Sequence, residues 1–233
     1  MKKRRLLNNF GTVAGVLACV VLALAMTSTA WAKDKLPEVS KDGLHLLKHT
    51  KVRVAYAKPG ASLDKYSKVK ILDCFVQFEK NYERDYNLNE VGLDGRITDK
   101  DIATIKTCLA AEFKKEFTKV LTKAGHEVVD NTGPEVLLLR PAIINLDVTA
   151  PDTMRAGFST TVVASAGQMT LYMELYDSAS SELLARVIDP QAGREGGVAN
   201  RVTNTASADQ ILRHWAELLS KHLGDLKQNV PGS

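Results

Sequence analysis

The sequence is poor in the residues that metal and redox chemistry uses. It has three cysteines and five histidines in 233 residues. No Cys-x-x-Cys pair occurs, so the usual thiolate zinc sites and thiol-exchange motif are excluded. No Gly-x-Ser-x-Gly turn exposes a nucleophile, since Ser165-Ala166-Gly167 is only a fragment of one. The glycines around Arg194 lack the Lys-Ser/Thr of a phosphate loop. An excess of one charge is also missing. The formal +4 comes from Lys2, Lys3, Arg4 and Arg5, and without them 27 cations face 27 carboxylates. That balance argues against nucleic acid as a partner. Only one long uncharged apolar run occurs, at 10–26, and it is shorter than the roughly 20 residues of a spanning helix.

What is there begins with that run. Four cations precede it and Ala30-Trp31-Ala32 follows it, the three-part pattern of a secretory signal peptide. The expected leader is 1–32, cleaved before Lys33, leaving an exported product of 201 residues in a periplasm or beyond. An alternative is an outer-membrane lipoprotein, because Val16-Leu17-Ala18-Cys19 has the form of a lipid-processing site. The apolar stretch after Cys19 is unlike the polar tether that normally follows a lipidated cysteine.

The mature chain reads as an α+β fold, an antiparallel or mixed sheet of about four to five strands packed by two long amphipathic helices. Residues 33–50 are expected to form a loosely attached N-terminal arm, 51–226 a single domain, and 227–233 a frayed tail. Residues 51–56 alternate as a short half-buried strand. Residues 69–78 read as one central strand with two apolar faces, and 79–96 as a loop. Thr98 and Asp101 form a capping box for a helix whose stripe is Ile102, Ile105, Leu109, Phe113, Phe117, Val120, Leu121 and Ala124, stopped by Gly125. A short strand follows at 127–130. The β-rich segment 136–149 contains Pro141, which predicts an edge strand or a bulge there. Residues 160–176 read as one extended strand, with Met169, Leu171, Met173 and Leu175 opposite Thr170, Tyr172, Glu174 and Tyr176. A turn at 177–181 returns the chain to a strand at 183–189 that Pro190 should end. Residues 190–205 read as a mobile connection. Ser207 is the expected cap of the last helix, with Trp215 anchoring its stripe of Ile211, Leu212, Leu218, Leu219, His222 and Leu223.

Cys74 and Cys108 are an even pair in an oxidising compartment, which allows a disulfide. The period-2 pattern puts Cys74 on a core face, however, and Cys108 points away from its helix's stripe. The alternative is two small apolar fillers.

Several segments taken together resemble a known family. They are Tyr56-Ala57-Lys58-Pro59-Gly60-Ala61-Ser62 with Lys65-Tyr66, Leu121-Thr122-Lys123-Ala124-Gly125, Val148-Thr149-Ala150-Pro151-Asp152 and Ser165-Ala166-Gly167. The hairpin running from Tyr176-Asp177-Ser178 to Leu184-Ala185-Arg186-Val187-Ile188-Asp189 completes the set. The order is similar to that of the bacterial envelope family catalogued as domain of unknown function 3313. The resemblance spans about residues 43–222 and implies an exported α+β domain, often a lipoprotein, with no reaction or ligand to carry over.

Candidate chemistry is sparse. His45 and His49 lie at helical i, i+4 spacing without a third ligand, so solvated side chains are expected there rather than a metal. His222 reads as a helix-end partner. Asp177, Arg186 and Asp189 are expected to cluster across the hairpin as an ion-paired group. No catalytic, cofactor-binding or metal residue is assigned, and no cofactor. The expected role is a non-enzymatic binding or assembly module whose partner is an envelope protein or a cell-wall or lipid component. The alternative is a small periplasmic hydrolase with a site of dispersed residues. The loop 151–159 carries Met154, Arg155 and Phe158, types enriched at interfaces, and is the candidate partner contact. The competing role for Phe158 is a plug at the end of the core.

Overall fold

A computed structural model describes residues 36–89, 96–149, 161–165, 167–193, 195–199 and 201–225. The leader 1–32, the loop with Met154, Arg155 and Phe158, and the tail 227–233 lie outside them, so the expectations for these segments do too. In chain order the elements are β1 (His45–Leu46), β2 (Val54–Ala57), β3 (Lys68–Ile71), β4 (Phe75–Phe78), α1 (Tyr82–Asn89), α2 (Asp99–Lys123) and β5 (Glu127–Val128). Then come β6 (Val136–Asp147), β7 (Thr161–Ser165), β8 (Gln168–Asp177), β9 (Leu183–Ala192), β10 (Glu195–Ala199) and α3 (Arg201–Asp225).

The fold is α+β with a mixed sheet of eight strands, ordered β1-β2-β9-β8-β6-β3-β5 with β4 also on β6. The expected single strand 160–176 is two, because β7 pairs with β10 in a separate two-stranded sheet while β8 lies in the main one. Eight strands exceed the expected four to five because several are only two to four residues long. The short strands β2 and β5 fall within the expected 51–56 and 127–130, whereas β1 is only two residues long and β3 and β4 read as one. Strands β3, β4 and β5 run parallel to their neighbours and the other pairs are antiparallel.

The alternation along β8 sets the layers. Met169, Leu171, Met173 and Leu175 are buried and join Leu137, Leu139 and Ile143 of β6 beneath the helices. The helices contribute Leu109, Phe113, Phe117 and Leu121 from α2 and Leu212, Trp215 and Leu219 from α3, all within one core. The rings of Phe113 and Phe117 stack at 4.0 Å.

Local chemistry explains where α2 begins and ends. The Thr98 hydroxyl accepts from the Asp101 N–H at 3.3 Å, and the Asp101 carboxylate accepts from the Thr98 N–H at 2.9 Å. This closes the predicted box and satisfies two N-terminal amides. At the other end Gly125 takes φ 93°, a left-handed stop. Ala124 is exposed, so the stripe ends at Leu121.

Both strand prolines sit differently from expectation, for one reason. Pro141 lies inside β6 between two neighbours, and the irregularity of the β6–β8 ladder falls between Ile144 and Asp147. The Leu139 carbonyl accepts from the Leu72 N–H, so backbone groups of residues 139 and 141 point towards β3 and β4. There β3 has ended and β4 has not begun, and the missing N–H of Pro141 breaks no bond. Pro190 likewise does not end β9, which continues to Ala192. The Leu184 carbonyl accepts from Lys58, so even-numbered residues of β9 face β2, which starts only opposite Ile188. Each proline faces a gap in the neighbouring strand.

Three further stretches differ from expectation. The stretch 69–78 is two strands, β3 and β4, and on β4 only Val76 and Phe78 are buried while Phe75 is exposed. The expected loop 79–96 contains the polar helix α1. It is anchored by Tyr82, stacked on Phe78 at 4.5 Å, and by the Asn87 amide, which bonds the N–H and carbonyl of Ile97. The expected mobile connection 190–205 contains β10, and α3 begins at Arg201, so Ser207 lies within the helix and does not cap it.

The arm is not loose from Pro37 onward. Leu44 is buried against Val54 and Tyr56, and the Tyr56 hydroxyl donates to the Pro37 carbonyl at 2.9 Å. This cover buries both faces of β2, where the sequence suggested one.

Leu219→Ala should cost about 2–5 kcal/mol, because the methyl groups removed lie in the main core. Gly167 takes φ 120°, and a Cβ there would stand 2.4 Å from the Asp147 carbonyl oxygen. Gly167→Ala should therefore cost at least about 2 kcal/mol, read as a lowered denaturant midpoint.

Candidate binding face

The second face of the sheet is built from the other half of each alternation. Cross-strand register puts Tyr56, Arg186, Glu174 and Arg140 in one row. The next row holds Val54, Ile188, Tyr172, Ala142 and Phe75. The arm covers the β2–β9 end with Leu44 and Leu46, forming a small apolar cluster apart from the main core. Towards β6, β3 and β4, Leu138, Ala142, Ile144, Tyr172 and Tyr176 remain half-exposed. The Arg140 side chain is 67% exposed and Phe75 is 60% exposed. Among the described residues nothing covers this half.

Glu174 is the fixed point of the face. It is buried, which is unusual for a carboxylate on the outer side of a sheet, and it is fully engaged. Its carboxylate accepts from the Tyr172 hydroxyl at 2.9 Å, the Tyr176 hydroxyl at 2.7 Å, and Arg186 Nε and Nη2 at 3.0 and 2.8 Å. A further Arg140 nitrogen stands 3.6 Å away. Arg186 extends the chain to Asp42 of the arm at 2.7 Å. Its guanidinium also lies 5.8 Å from the centre of the Tyr172 ring.

These contacts hold each group in one protonation state. Burial alone would raise Glu174, but the two hydroxyls and Arg186 outweigh it and keep the carboxyl below its ordinary value. Burial and the adjacent Glu174 push Tyr172 up to about 12, and the same two causes raise Tyr176. Burial opposes the Arg186 charge, yet Asp42 and Glu174 more than restore it. An ionised carboxylate, protonated phenols and a charged guanidinium therefore persist across neutral pH. Such a network suits positioning better than proton transfer, which needs a group near its transition.

Residues 46–219 match the model of the family described as Protein of unknown function (DUF3313). The chain belongs to this family. No curated protein matches the DUF3313 chain. Among solved structures it is similar to a PelC dodecamer from Paraburkholderia phytofirmans, with 9% identity, a TM-score of 0.36 and coverage of 70% of this chain and 96% of that one. A Xanthomonas campestris protein assigned to DUF330 matches with 8% identity, a TM-score of 0.41 and coverage of 75% and 94%. A putative neuraminyllactose-binding hemagglutinin homolog from Helicobacter pylori matches with 10% identity, a TM-score of 0.25 and coverage of 73% and 86%. Likenesses this distant transfer no property to the DUF3313 chain.

The residues singled out from sequence are dispersed in this DUF3313 protein. Asp177, Arg186 and Asp189 do not cluster. Asp177 is held well below the carboxylate range by Lys65, helped by backbone amides and Tyr66. Asp189 lies on the helix side, accepting from Trp215 Nε1 at 2.8 Å and the Arg53 N–H at 2.7 Å. His45 is in β1 and His49 has φ 60°, so their helical spacing has no helix behind it. Among the described residues no group of three histidine, cysteine or carboxylate side chains could hold a metal. His222 Nδ1 lies 2.7 Å from the Leu218 carbonyl, close to the helix end as expected.

Cys74 and Cys108 are free, the first buried in the core and the second exposed on α2. Burial pushes the Cys74 thiol up to about 12, which leaves it a poor nucleophile. Among the described residues no helix is long and apolar enough to cross a membrane.

Sequence reasoning missed Phe75 and Arg140 as surface features. The available signal was the polar half of the β8 alternation, Tyr172 and Tyr176, which marks an outer face without showing how much of it is covered.

Replacing Glu174 by Gln removes the charge that Arg186 answers and should cost about 2–3 kcal/mol. Because the folded value is depressed, this contribution is present above the ordinary 4.5 and is lost as pH falls through the lower folded value. Urea midpoints measured between pH 7 and pH 3 should therefore fall less steeply for Glu174→Gln than for the parent.

Proposed function

We propose that this DUF3313 protein is an exported, non-catalytic binding or assembly module of the bacterial envelope, and that the open half of its sheet is its recognition surface. One observation carries the reading. A half-exposed apolar face is organised about the buried, hydrogen-bonded Glu174 and, among the described residues, lacks the cover that the arm supplies to its other half. Protein interfaces favour the residue types found there, namely Tyr, Phe and Arg around an apolar centre. Preorganised side chains also lose less entropy when a partner docks. Export rests on the tripartite leader, and amino-terminal sequencing should find Lys33 as the first residue of the exported product.

The test is site-specific photocrosslinking in the envelope from position 77, an exposed site on β4 beside Phe75. Phe75→Asp should abolish a discrete crosslinked species while leaving the unfolding free energy within about 0.5 kcal/mol of the parent, as exposed substitutions do, and Arg140→Gln, which adds no carboxylate beside Glu174, should weaken that species. A crosslink that survives both substitutions would count against the face as the recognition surface.

A further inference from the structure

We propose that the open half-face docks an extended protein segment that brings a carboxylate to Lys70 and Arg140 and an apolar side chain to Phe75. The inference rests on the face being the recognition surface, and it adds the chemistry of the partner.

Charge is the first ground. On the open half the strands β3, β4, β6 and β8 present Lys68, Lys70 and Arg140 as cations, with Glu174 and, at the far end of β6 opposite Gln168, Asp147 as carboxylates. Lys68 is answered by Glu127 at 3.1 Å. Glu174 is buried and spent on Arg186 and two hydroxyls. Lys70 makes no ion pair among the described residues, and Arg140 stands only within 3.6 Å of the already engaged Glu174. The register pairs Lys70 with Leu138, two residues before Arg140 on the same face, so the two cations are diagonal neighbours. Two adjacent cations that, among the described residues, are ion-paired to no free carboxylate are complementary to an anionic group, and the half-exposed apolar rows beside them to an apolar one.

The arm supplies the second ground, because it already makes this kind of contact on the same face. Asp42 reaches Arg186 and, two residues on, Leu44 buries itself against Val54 and Tyr56. A carboxylate and an apolar side chain spaced by two residues thus cover the β2–β9 half. The uncovered half repeats the demand with Arg140 and Lys70 as the cations and Phe75, Ala142 and Ile144 as the apolar floor. A partner segment seated there would continue the layer that the arm begins.

The experiment uses the full-length protein and fluorescence anisotropy with three labelled peptides of ten residues, one alternating Glu and Val, one Lys and Val, one Glu and Ser. Phosphatidylglycerol vesicles form a fourth probe. The Glu-Val peptide should bind at low salt, weaken as salt rises, and exceed the other two peptides by about tenfold. Lys70→Glu with Arg140→Gln should lose that binding, whereas Lys114→Glu with Lys123→Glu, exposed on α2, should keep it. Failure of the Glu-Val peptide to bind, equal binding of the Lys-Val peptide, indifference to the Lys70 and Arg140 swap, or swap-sensitive binding of vesicles alone would each overturn the acidic-segment proposal. If Phe75→Asp still removes the envelope crosslink in any of those cases, the face stands and only its partner chemistry falls. Persistence of the crosslink in Phe75→Asp removes the recognition surface itself.

Discussion

The structure depends on the pairing of β6 with β8 across nearly their whole length. That ladder holds two alternating sets of side chains in register, one apolar throughout and one mixed. The apolar set forms the floor on which α2 and α3 lie, with Phe113, Phe117 and Trp215 as the largest pieces of the core. The mixed set cannot face a core without unpaired polar groups, so it stays outside, organised about Glu174. Fold and candidate site are two sides of one ladder.

The prolines show how that ladder tolerates interruption. A strand with two neighbours needs its N–H groups on both sides, and proline removes one of them. In β6 and β9 the lost donor faces a place where the adjacent strand is absent. This is why Pro141 sits in a central strand without a bulge and why β9 runs past Pro190.

Features encoded within a few residues were legible in the sequence. The Thr98–Asp101 box, the α2 and α3 stripes, the Gly125 stop, the β8 alternation and the hairpin turn each depend on neighbours along the chain. Features that depend on remote partners were not. The split of β3 from β4 reflects the course of β6, α1 is held by Phe78 and Ile97, and the arm is fixed by Tyr56 and Arg186. The two aspartates assigned to one cluster went to separate partners because they lie far apart along the hairpin, Asp189 pairing with Leu171, six residues before Asp177. The open face escaped for a related reason, since alternation shows which side chains point outward but not what covers them.

The central claim is that the helix face of the sheet holds the fold and the open half of the other face holds a partner. Hydroxyl-radical footprinting of the protein in isolated envelopes, set against the purified protein, tests it most directly. Oxidation of Phe75, Tyr172 and Tyr176 should be suppressed in the envelope, while that of Leu88, exposed on α1, should be unchanged. Equal reactivity of the three aromatic residues in both preparations would contradict the account.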